Sequence, residues 1–128
     1  MGSFVELTAV DGVKTPAYVG MPEGAPRGAI GVLQEIFGVN SHIRSVADRY
    51  AAQGYVAVAP AMFARVKPDV ELGYTEADMT AGFALKTAVE ALPEPGALRD
   101  VEAAVAHAAT LVSGGKIGVV GFCWGGLM

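Results

Sequence analysis

The sequence predicts an α/β fold, a mostly parallel sheet with helices on both faces and an antiparallel hairpin at its N-terminus. Three observations predict it. Continuous apolar runs at Ala29-Ile30-Gly31-Val32-Leu33, Tyr55-Val56-Ala57-Val58-Ala59-Pro60 and Lys116-Ile117-Gly118-Val119-Val120-Gly121 read as strands buried on both faces. Segments with helical spacing of apolar residues lie between them, and strand–helix–strand order implies a right-handed parallel crossover. The β-rich runs Phe4–Val10 and Val13–Val19 flank Asp11-Gly12, a favoured pair for a tight hairpin turn.

Each element follows from local pattern. Gly24, Pro26 and Gly28 punctuate a loop before the first central strand. A helix follows, with Ile43, Val46, Ala47, Tyr50 and Ala51 on one side and Arg44, Asp48 and Arg49 on the other. Asn40 or Ser41 suits its N-cap, and Gly54 its C-terminal stop. Ala61 to about Tyr74 reads as irregular, and a weaker helix spans about Glu76 to Leu92 before Pro93 and Pro95 break it. A clear amphipathic helix runs from about Ala97 to Val112, ended by Ser113-Gly114-Gly115.

Composition narrows the function classes. The chain has 128 residues, 52% of them hydrophobic and 17% charged, enough to bury a core as one domain, 1–128. A net charge of −4, with scattered Lys and Arg, leaves no basic face for nucleic acid. One cysteine forms no internal disulfide, which fits a reducing, cytoplasmic setting. The start lacks the pattern of a signal peptide, and no apolar run approaches the roughly 18 residues of a membrane helix, so no membrane partner is expected. No cofactor motif or metal-ligand spacing is present.

The chemistry concentrates in Gly121-Phe122-Cys123-Trp124-Gly125-Gly126. A strand running into Gly-x-Cys-x-Gly matches the nucleophile elbow, a strained strand-to-helix turn that exposes its central side chain at the carboxyl end of the sheet. Gly121, Gly125 and Gly126 meet the need for small residues where backbone passes close by. Cys123 is then the nucleophile, and its thiolate the competent form. A buried structural cysteine is the competing reading, which the flanking strand and glycines disfavour. A phosphate-cradling loop fits less well, because no Lys-Ser or Lys-Thr pair follows the glycines.

With that elbow in place the chain resembles the dienelactone hydrolase family. The resemblance extends to Gln34-Glu35-Ile36-Phe37-Gly38-Val39-Asn40, to Gly54–Pro60 and to Asp100-Val101-Glu102-Ala103-Ala104, in the family's order. It implies an α/β-hydrolase-type fold and a thiol hydrolase acting on a small-molecule ester or lactone through an acyl-enzyme. Glu35 would lie beside the resting thiol and take its proton when substrate arrives. The backbone N–H groups of Ile36 and Trp124 would form the oxyanion hole.

The sequence also departs from the family. The family places an Asp and then a His after the nucleophile, whereas His42 and His107 both precede Cys123. His107 reads as structural; His42, in the first turn of a helix, is open to either role. The family's substrate-binding arginines have no clear counterpart, though Arg65 lies in the general region of one. The expectation is an incomplete domain, truncated after the elbow, with a bare sheet edge and little activity alone. Two alternatives stay open: a half-domain that pairs with itself or a complementary chain, or a redox-sensitive thiol protein.

Overall fold

A computed structural model describes residues 2–67, 69–93, 96–112 and 116–127 of the chain. Strands β1 (Gly2–Thr8), β2 (Lys14–Gly20), β3 (Gly28–Leu33), β4 (Tyr55–Pro60) and β5 (Lys116–Gly121) form one sheet in the order β1-β2-β4-β3-β5. β1, β2 and β4 pair antiparallel, while β4, β3 and β5 run parallel. The sheet is therefore mixed, with the parallel half carrying the elbow.

Helices α1 (Ser41–Ala52) and α3 (Leu98–Leu111) cover opposite faces, because side chains alternate along each strand. Ala57 and Ala59 of β4 point to the cluster containing Ile43, Val46 and Ala47 of α1, whereas Val56 and Val58 point to Ala104 and Ala108 of α3. Both faces of β4 are thus sealed, which explains its unbroken apolar run. Each such fully buried valine contributes on the order of 1.5–3 kcal/mol.

A third cluster sits beyond the carboxyl ends of the parallel strands. It joins Ile36, Phe37, Met62, Phe63 and Trp124 to Val89 of helix α2 (Glu76–Glu90). This cluster, not the main core, supports the loops after β3, β4 and β5.

Three expectations are refined. The hairpin is not a two-residue turn at Asp11-Gly12: pairing stops at Thr8 and Lys14, and Ala9 N–H donates to Val13 O at 2.9 Å. Gly12 N–H closes the turn onto Ala9 O at 2.9 Å with Gly12 at φ +85°, and Arg65 grips both carboxylate oxygens of Asp11 at 2.7 and 3.1 Å. Asn40 rather than Ser41 caps α1, its Oδ1 accepting from Ile43 N–H at 3.2 Å. Finally, β5, read from its apolar run as buried on both faces, has none of its residues buried and Val119 52% exposed, because it lies at the sheet edge with no strand paired to its outer side among the described residues. The expected break at Pro95 and the helix stop at Ser113-Gly114-Gly115 lie outside the described residues.

Candidate active site

β5 delivers the chain to a 3-10 turn, Cys123–Leu127. Register pairs Gly121 with Leu33 of β3, and Phe122 N–H extends the pairing by donating to Leu33 O at 3.2 Å. Cys123 then takes φ +55°, a left-handed conformation that costs a side-chain-bearing residue about 1–2 kcal/mol. The strain reverses the chain and leaves the thiol exposed.

Gly125 permits the reversal. A Cβ there would lie 2.6 Å from both Leu33 O and Gln34 O, so backbone crosses backbone where no side chain fits. Gly125 N–H closes the turn onto Phe122 O at 2.9 Å. The surroundings of Gly126 lie outside the described residues. Trp124 points inward, 3% exposed, and stacks on Phe63 with ring centroids 5.4 Å apart.

The loop after β3 is held from three sides. Gln34 is fully buried; its Oε1 accepts from Met62 N–H at 2.8 Å and its Nε2 donates to Glu35 O at 3.0 Å. That side chain ties the exits of β3 and β4 together. Ile36 is buried, and α2 presses on it through Gly82, where a Cβ would come within 2.3 Å of Ile36 O. Glu35, between them, is half-buried and accepts a hydrogen bond from Tyr74 Oη–H at 2.8 Å. Desolvation of the Tyr74 hydroxyl, assisted by the neighbouring carboxylate, holds its pKa above the ordinary value, so it stays a donor at neutral pH.

Ile36 and Trp124 belong to one buried cluster, so the two proposed oxyanion donors lie in the same part of the molecule. Among the described residues, no carbonyl accepts either N–H.

Arg65 is placed otherwise than a substrate-binding arginine. Its guanidinium makes a bidentate pair with Asp100, at 2.8 and 3.0 Å, and a second with Asp11. Asp100 is fully buried in the first turn of α3, and burial pushes its carboxyl up while Arg65 offsets part of that. All the carboxylate-directed donors of Arg65 are thus spent on structure.

His42 is exposed and meets Phe122 edge to face at 6.5 Å, and both line a cleft of about 450 Å³ with Val46 and Tyr50. It approaches the residue before the elbow cysteine from the outside. His107 lies midway along α3, where its carbonyl accepts from Thr110 Oγ1 at 2.6 Å.

Sequence pattern singles out neither Tyr74 nor Gly82 as part of this site. A glycine inside a helical pattern is the signal that could have marked Gly82, since its cost of about 1 kcal/mol against alanine calls for a packing reason. Tyr74 carries no comparable signal.

A model described as the dienelactone hydrolase family matches residues 15–128. A carboxymethylenebutenolidase from Pseudomonas putida is 36% identical over 126 residues, covering 97% of this chain and 52% of that protein. A Synechocystis sp. protein is 48% identical over 97 residues, covering 74% of this chain and 38% of its own length. A solved structure from Klebsiella pneumoniae is 30% identical with a TM-score of 0.72, covering 98% of this chain and 51% of that one. One from Xanthomonas campestris, an α/β serine hydrolase 12% identical with a TM-score of 0.63, shows the shared α/β-hydrolase fold alone. The chain spans about half or less of the length of these proteins. Among the described residues, no helix is long and apolar enough to cross a membrane.

Proposed function

We propose, for a chain that belongs to the dienelactone hydrolase family, that it carries the nucleophile half of a hydrolase acting on small carboxylic esters or lactones. The observation that carries the reading is Cys123 itself: exposed, held at φ +55°, at the carboxyl end of a parallel strand where ligands of open α/β sheets bind. Strain retained at an exposed cysteine has no packing reason and fits a nucleophile aimed at substrate.

In the proposed acylation, Glu35 accepts the thiol proton as the ester enters. The Sγ electron pair attacks the carbonyl carbon, and the carbonyl oxygen becomes an oxyanion held by the Ile36 and Trp124 N–H groups. Collapse expels the alcohol, which takes the proton back from Glu35, and leaves a thioester on Cys123. Hydrolysis of that thioester calls for an activated water, for which the family uses a His after the nucleophile. His42 and His107 both precede it, and neither is proposed for that step.

Incubation with p-nitrophenyl acetate near neutral pH, followed by mass spectrometry of proteolytic fragments, tests this. An acetyl adduct on Cys123 is expected. No adduct, together with no thiol reactivity toward iodoacetamide, overturns the reading.

A further inference from the structure

Tyr74 is an exposed aromatic with a committed hydroxyl. Its residue is 54% exposed, so burial of apolar surface is not what holds it in place. Its ring meets Phe37 edge to face at 4.5 Å, while Oη–H donates to Glu35 Oε1 at 2.8 Å and Oη accepts from Asn40 Nδ2 at 3.3 Å. Asn40 is 3% exposed and fully used: its Oδ1 caps α1, and its Nδ2 also reaches Leu72 O at 3.0 Å.

The segment that presents Tyr74 is laced to the loop carrying Glu35. Leu72 N–H donates to Phe37 O at 2.9 Å, Gly38 and Glu71 form a β-bridge, and Arg44 spans Val39 O at 2.9 Å and Glu71 Oε1 at 2.7 Å. The Asn40–Tyr74–Glu35 chain therefore starts at a buried helix cap and ends on a carboxylate.

We propose that Tyr74 is a positioning residue for Glu35, engaging Oε1 and so presenting Oε2 as the oxygen that takes the Cys123 proton. The inference rests on the proposed role of Glu35 in acylation. In the step, the Sγ–H bond breaks, the Oε2–H bond forms, and the electron pair stays on sulfur for attack. Asn40 keeps the phenol oriented by donating to its oxygen, which leaves the phenolic proton for Glu35. Without that donor, the Glu35 carboxylate loses a fixed direction.

The test measures acylation of Cys123 by p-nitrophenyl acetate against ester concentration and pH in wild type, Tyr74→Phe, Glu35→Gln and the double variant, with a thermal melt for each. Glu35→Gln slows acylation about a hundredfold or more, the range of a proton-transfer group. Tyr74→Phe slows it about two- to tenfold, the factor that one hydrogen bond's net contribution corresponds to. The half-saturating ester concentration and the melt stay unchanged, and the slowing vanishes in the Glu35→Gln background. Slowing of equal size in both backgrounds, or none in either, overturns the inference while leaving the role of Glu35 standing. A Glu35→Gln variant that acylates like wild type overturns both.

Discussion

Replacing Arg65 with methionine should cost the fold about 3–5 kcal/mol, the usual penalty for breaking a buried ion pair from one side. Arg65 is 10% exposed in its side chain and Asp100 not at all, and two hydrogen bonds at 2.8 and 3.0 Å join them. Methionine fills much of the space but leaves the carboxylate in a low-dielectric site with no counter-charge. The arm to Asp11 contributes far less, because that carboxylate is 38% exposed and water replaces the partner. Burial already raises the Asp100 pKa above its ordinary 3.8, and removing Arg65 takes away its main offset. A carboxyl raised in the folded state binds its proton there before it does in the unfolded chain. Stability therefore falls as pH rises from about 3.8 through the folded value, and the gap between variant and wild type should narrow as pH is lowered through that window. Urea unfolding at neutral and mildly acidic pH, with the slope held common, measures both effects. Arg65→Met/Asp100→Leu should recover most of the loss, since no buried charge then remains unpaired. A single-variant cost below about 1 kcal/mol, or a double variant that loses the sum of the singles, would refute the account. So would weakened ester binding at unchanged stability, the mark of a substrate-binding arginine.

Two further outcomes follow from backbone geometry. Cys123→Gly should unfold at higher urea than Cys123→Ala, by about 1 kcal/mol, because glycine takes φ +55° without the left-handed penalty; equal midpoints would show that the elbow stores no strain. Gly82→Ala, which favours a helix interior by about 1 kcal/mol elsewhere, should lower the melting temperature and slow acylation. The new methyl would meet Ile36 O at 2.3 Å and must displace the loop or α2. A raised melting temperature with unchanged acylation would count against the proposed oxyanion loop.

The central elements are legible because their determinants are local. The runs at Tyr55–Pro60 and Lys116–Gly121 coincide with β4 and β5, and the amphipathic stretch from about Ala97 to Val112 contains α3, Leu98–Leu111. Apolar spacing reports the type of element within a few residues, while whether its faces are in fact covered depends on distant neighbours, as the uncovered β5 shows. The elbow is legible for the same reason: a strand and closely spaced glycines leave few conformations for Cys123.

Polar partnerships are not local. Arg65 meets Asp11 and Asp100 across 54 and 35 positions, and Tyr74 reaches Glu35 across 39. No periodicity encodes such pairings, because a charged side chain in an irregular segment reads the same whether it faces water, substrate or a buried carboxylate. The hairpin illustrates this directly. Asp11-Gly12 forms its turn locally, yet the hold of Arg65 on Asp11, with Asp100 on the same guanidinium, joins residues far apart in the chain. The strands, the helices that sandwich them and the cysteine at the turn are written in the residue pattern, through burial and steric demand acting over neighbouring residues. That Arg65 is spent on the fold and that Tyr74 grips Glu35 emerges only on packing, since each depends on which distant groups the packed sheet brings within hydrogen-bond reach.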